Sequence, residues 1–228
     1  MKHIGIVACS AEGAALCYLE ICRQGGVAVG PHDHPRVTMD SIPLAAWMPA
    51  FEAADGAALA DVMLESVRLL AAAGADLAIC PDNSAHLAWP FLEAASPIPW
   101  LHIARVVGLE ARRRGFRRVG LLGTRFTMSG PVYPDALGAL DIESVPPEGD
   151  DAAIVDRIIF DELVRGVVTV EARRAYQGVI DRLAARGCDA VALACTEIPL
   201  LVTSEDSSLP TLDSTRLLAT AALQAAMD

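Results

Sequence analysis

The chain has 228 residues, 53% hydrophobic and 21% charged, so it can bury a substantial core and is not a disordered segment. A formal net charge of −11 argues against nucleic acid and against an anionic membrane surface as partners. The length fits one large α/β domain or two small ones.

In chain order, Ile4 to Ala8 reads as a buried strand, and Ser10 with Glu12 opens a helix expected to end near Gly25-Gly26. Pro31-His32-Asp33-His34-Pro35 is a loop whose two histidines are too few to assert a metal site. A short strand at Val37 to Met39 follows, and Ser41 to Pro49, broken by prolines, is expected to be a loop reaching a cleft. Helices are expected over Asp55–Ala73, Ala85–Ala95 and Ala104–Arg114, with a strand ending at Cys80 and a short strand near Trp100. The second half restarts with a strand at Arg118 to Leu122. It continues with a helix near Pro131–Leu140, a strand at Glu143–Val145, and helices over Ala152–Val164 and Val170–Arg186. A strand at Ala190–Ala194, a short helix at Pro199–Val202 and a C-terminal helix capped by Thr211–Thr215 complete the chain.

One pattern occurs twice. Gly74-x-Asp76 and Gly187-x-Asp189 each open an apolar strand, and the offset of 113 residues between them also carries Asp82 onto Cys195. Gly5 and Gly120, in the first strand of each half, lie 115 apart, so the halves differ by a two-residue insertion. Two such halves present strand ends to a shared cleft, one with a carboxylate and the other with a thiol. Gly123-Thr124 and Thr127 form a further strand-to-helix turn, whose hydroxyls and amides suit a carboxylate or simply cap a helix.

Pro81-Asp82-Asn83-Ser84-Ala85-His86, Ala194-Cys195-Thr196-Glu197 and the segments Leu122–Met128 and Leu212–Thr215 together resemble the aspartate/glutamate racemase family. The resemblance runs almost the full length. It implies an α/β fold of two pseudo-symmetric halves, each a mostly parallel four-stranded sheet flanked by helices. Residues 1–104 with 212–228 would form one half and 105–211 the other. It further implies a cofactor-independent enzyme with no metal, usually a homodimer, acting on an acidic amino acid or related small carboxylic acid. The reacting pair would be Asp82 and Cys195, with Asp82 standing where the family has its first cysteine and Cys80 read as structural. Ser10, Asn83, Ser84, Thr124, Thr127 and Thr196 would surround the α-carboxylate and amino group. Arg165 is the candidate for a side-chain carboxylate, or else a solvated helix-end cation. The thiols lack a Cys-x-x-Cys pair and Met1-Lys2-His3 leads straight into a strand, so a reduced, cytoplasmic protein is expected.

An Asp/Cys pair has a bias that a Cys/Cys pair lacks. Reference pKa values of about 3.9 and 8.5 make carboxylate plus thiol the resting form, and the swapped form costs about 6 kcal/mol. Two-way racemisation therefore needs burial to raise Asp82 and its surroundings to lower Cys195. Two alternatives use the same scaffold: a decarboxylase of substituted malonates with Cys195 as sole proton donor, and a non-catalytic small-acid binder.

Overall fold

A computed structural model describes residues 1–228. The first half contains β1 (Ile4–Ala8), α1 (Ala11–Ala28), β2 (Val37–Ser41), α2 (Leu44–Glu52), α3 (Gly56–Ala72) and β3 (Leu77–Ile79). A 3-10 turn at Ser84–Ala88, α4 (Trp89–Leu92) and α5 (Ile103–Arg113) follow. Next come β4 (Arg118–Gly123), α6 (Arg125–Ser129), α7 (Val132–Gly138), β5 (Glu143–Val145) and α8 (Asp150–Asp161). A short turn at Leu163–Arg165 leads to α9 (Val170–Ala185), β6 (Ala190–Ala194), α10 (Ile198–Leu201), β7 (Thr211–Asp213) and α11 (Ser214–Met227). The strands form two parallel sheets, ordered β2-β1-β3 and β5-β4-β6-β7.

Both sheets are covered on both faces, as parallel sheets require. Ile4, Ile6 and Ile79 pack on Cys17 and Ile21 of α1 and on Leu218 and Ala222 of α11. Val7 and Ala78 point the other way, onto Leu59, Met63 and Leu70 of α3. In the second sheet, Leu122, Val191 and Leu193 meet α8 and α9 through Ile158, Tyr176 and Ile180. Its opposite face, with Val119, Leu121 and Ala192, meets α5 and α7 through Val107 and Tyr133.

The internal duplication is physical. Asp76 accepts the His3 backbone N–H at 2.7 Å, while Asp189 accepts those of Arg117 and Arg118 at 2.8 and 3.2 Å. Each aspartate thus ties the start of its own strand to the start of the central strand. A Cβ on Gly5 would lie 3.2 Å from Leu70, and one on Gly120 would lie 3.0 Å from Leu183. Leu70 and Leu183 are themselves related by the 113-residue offset.

Three expectations are corrected. The segment after Ser41 is not a loop but helix α2: Pro43 precedes its first turn, and Trp47, Ala50 and Phe51 bury its inner face despite Pro49. Helix α1 continues past Gly25 to Ala28, because the 30–35 loop folds back on it. A Cβ on Gly25 would fall 2.6 Å from that of His34, so the glycine serves close packing and not helix termination. The first sheet has three strands, with its expected fourth reduced to a single bridge between Ala78 and Trp100. Pro97 and Pro99 lack the N–H groups that would extend that ladder.

The basic run 112–118 is engaged locally. Arg113 pairs with Glu110, Arg114 donates to the Thr211 carbonyl and Arg118 pairs with Glu143. No helix is long and apolar enough to cross a membrane.

The clamp at the second sheet is testable. Asp189→Ala removes the acceptor for two backbone N–H groups and is expected to lower the urea-unfolding free energy by about 1–3 kcal/mol. Asp189→Asn, which keeps one acceptor oxygen, should lose less. An alanine variant as stable as the parent protein would show that the clamp does not hold the strands.

Candidate active site

The C-terminal ends of β1, β3, β4 and β6 converge on one cavity of about 40 Å³. On this measure one water needs about 10–15 Å³, so the space suits a few waters and a larger guest must push its walls outward. Asp82, Cys195, Ser10, Ser84 and Thr124 all line it, so five of the expected site residues meet there. A larger cavity of about 390 Å³, beside His86, Trp89, His102 and Arg105, contains neither Asp82 nor Cys195. Both histidines there are held neutral by burial, with His86 pushed down to about 4 and His102 to about 2. Of the two, only the smaller cavity is lined by Asp82 and Cys195.

Asp82 sits in the turn after β3, where its Oδ1 accepts the Ala85 N–H at 2.9 Å. Desolvation pushes its carboxyl up from 3.8 to about 6, against the lowering effect of the Ala85 hydrogen bond, and the acidic Glu197 adds to the rise. The Cys9 thiol, just after β1, counteracts part of that rise. His86 fixes the turn from behind: its Nδ1 contacts the Asp82 carbonyl at 2.8 Å and its Nε2 accepts the Ile103 N–H at 3.2 Å.

Cys195 follows β6 and is 8% exposed. Its thiol donates to Glu197 Oε2 at 3.0 Å, and Thr196 donates to the same oxygen at 2.7 Å. Burial, then the charge of Glu197, push the thiol well above its usual range. Half of the condition set by the Asp/Cys bias is met, since Asp82 is raised. The other half is not: Cys195 is raised as well, first by burial and then by the carboxyl group of Glu197 beside it, where a cation would have been needed.

The remaining expected residues stand behind the cavity or away from it. Thr127 is buried and hydrogen-bonds Ser84 at 2.8 Å, which in turn contacts Thr124 at 3.0 Å. Thr196 contacts Ser10 at 3.3 Å, and this closeness depends on Gly13, where a Cβ would fall 2.2 Å from the Thr196 Cβ. Asn83 is occupied at both ends, donating to Ser214 at 3.1 Å and accepting from Tyr133 at 2.6 Å. Arg165 is exposed in the turn after α8 and does not line the cavity; its neighbour Val164 does.

Sequence reasoning missed Glu197 as a cavity group, although its place two residues after Cys195 was a usable signal. It also missed the apolar wall. That wall comes from Leu44, Met48 and Phe51 of α2, Phe126 of α6, and Ile159, Phe160 and Val164 around α8. Phe51 stacks on Phe126 with centroids 5.6 Å apart, and Phe160 meets Phe126 edge-on at 6.3 Å.

Two parallel sheets thus bring their C-terminal strand ends, with Asp82 and Cys195 among them, to one cavity, an α/β architecture of two related halves. Residues 7–222 match the Asp/Glu/hydantoin racemase family, and the chain belongs to it. It is similar to the structure of a provisionally assigned Asp/Glu racemase from Yersinia pestis, with 31% identity, a TM-score of 0.91 and 100% of both chains covered. It is also similar to an aspartate racemase homologue from Pyrococcus horikoshii, at 25% identity, a TM-score of 0.86 and full coverage of both chains. A glutamate racemase from Francisella tularensis in complex with D-glutamate shares the fold at 13% identity and a TM-score of 0.71, covering 96% of this chain and 79% of that one.

The raised carboxyl of Asp82 makes a stability prediction whose sign is fixed. A group with a native pKa of about 6 against 3.8 holds its proton more tightly when folded, so its contribution to stability falls as pH rises from about 4 to 6. Asp82→Asn is therefore expected to be more stable than the parent protein at pH 8, by up to about 3 kcal/mol. The difference should shrink toward zero at pH 4. Equal unfolding midpoints at both pH values would mean that the carboxylate is solvated.

Proposed function

We propose that this protein is a cofactor-independent racemase or epimerase of an amino acid or related small carboxylic acid, with Asp82 and Cys195 as the opposed proton carriers. The observation that carries the reading is that these two groups, an acid and a thiol, line one cavity at the ends of related strands, with burial raising the pKa of both. Above about pH 6 the Asp82 carboxylate takes the α-proton from one face of the substrate carbon. The Cys195 thiol gives its proton to the other face, and the mirror-image product forms. Exchange with solvent then returns Asp82 to carboxylate and Cys195 to thiol.

The charge that develops on the substrate carboxylate needs donors. Ser10 precedes the first turn of α1 and makes no side-chain cap, so the dipole end of an 18-residue helix stands beside the cavity. The Ser84 and Thr124 hydroxyls, held by Thr127, supply further donors. The return direction starts from protonated Asp82 and a Cys195 thiolate, a form that burial and Glu197 both oppose. A homodimer in a reducing cytoplasm completes this reading; the resemblance and six unpaired cysteines support it, and light scattering of the purified protein checks the oligomer.

A second reading has one observation in its favour. The apolar wall would desolvate one carboxylate of a substituted malonate, favour loss of carbon dioxide, and leave Cys195 to protonate the enolate.

Incubation of a single enantiomer in D₂O is expected to give deuterated mirror-image product, with kcat/KM rising along a limb near pH 6. Asp82→Asn and Cys195→Ser should each lose at least about a hundredfold. Carbon dioxide release from a malonate panel, without exchange in any amino acid, would replace this reading with the second. Retention of configuration with neither exchange nor carbon dioxide would end both.

A further inference from the structure

Resting on the reading just given, we infer that the cavity takes an α-amino acid, or a close analogue bearing an N–H donor, whose side chain is apolar and not a carboxylate. No Lys, Arg or His lines the cavity. A side-chain carboxylate brought into it would face aromatic and aliphatic carbon on one side and the acidic Asp82 and Glu197 on the other. Buried charge without a partner is among the most costly arrangements in a protein interior. The two arginines nearest in sequence to the wall do not relieve this. Arg165 is exposed, and Arg125 is bonded to Asp156 while lying over the Phe126 and Phe160 rings at 4.3 and 5.3 Å. Those rings, Met48 and Val164 offer dispersion contact to a hydrocarbon side chain.

The donor requirement comes from an independent observation. Glu197 is 2% exposed, its Oε2 already accepts from Cys195 and Thr196, and its Oε1 is buried with no hydrogen-bond partner. A buried acceptor left unmatched calls for a donor from the guest. An α-ammonium or an amide N–H supplies one beside Cys195, whereas a malonate would set a second carboxylate against it. The two features together describe a guest that is polar at its α-carbon and apolar beyond it.

The test uses the parent protein with a panel of L- and D-leucine, methionine and phenylalanine against aspartate and glutamate at equal concentration. Exchange of the α-proton in D₂O is followed by NMR, and binding is measured separately by calorimetry. The expected result is at least tenfold greater exchange and tighter binding for the apolar set. Preference for aspartate or glutamate would overturn this inference while leaving the racemase reading in place. Apolar amino acids that bind tenfold more tightly but never exchange would support the inference and overturn the racemase reading. If neither set binds nor exchanges, both fall.

Discussion

Desolvation of two proton-bearing groups in one small cavity is the constraint on which the rest of this site depends. Water removed from Asp82 raises its carboxyl to about 6, within reach of neutral pH. Water removed from Cys195, with Glu197 beside it, keeps the sulfur protonated. One cause therefore suits the two strand ends to the roles of base and acid that the proposed reaction needs. The neighbouring structure maintains the geometry: His86 pins the Asp82 turn to the start of α5, and Gly13 lets Thr196 close against α1.

Much of the fold was legible because duplication leaves an arithmetic trace. The paired Gly-x-Asp segments became the paired clamps on β1 and β4, and the paired glycines became the two seats for Leu70 and Leu183. Helix starts with a side chain to receive backbone N–H groups, at Asp55, Thr169 and Asp213, fell within about a residue of the reading. Segments governed by tertiary packing were less legible. Prolines at 43 and 49 point away from helix on local grounds, yet burial of Trp47 and Phe51 outweighs the one hydrogen bond lost.

The candidate site divided along the same line. Residues at strand ends arrived where expected, because strand direction alone determines where a parallel sheet presents them. Within the following turns the outcome was mixed, with Asp82 and Ser84 facing the cavity and Asn83 between them not, since no period fixes where a turn side chain points. Asn83 therefore turns to Tyr133 and Ser214, while Glu197 turns into the cavity. The apolar wall draws on three segments between residues 44 and 164, and no local motif could announce it.

The protonated thiols also answer a problem of charge. Asp82 and Glu197 place acidic groups around a space that has no cation on its walls, and the proposed guest would bring a carboxylate of its own. Were Cys195 on the cavity wall, and Cys9 and Cys80 near Asp82 behind it, thiolates as well, the site would repel any acid. Burial pushes all three thiols far above their ordinary range, so they enter as neutral groups. An ammonium on the proposed guest, near the unmatched oxygen of Glu197, would then offset part of the negative charge that remains. On the proposed reading, neutral thiols and the ammonium of a zwitterionic guest would do the work that an arginine would do in a site built for a second carboxylate.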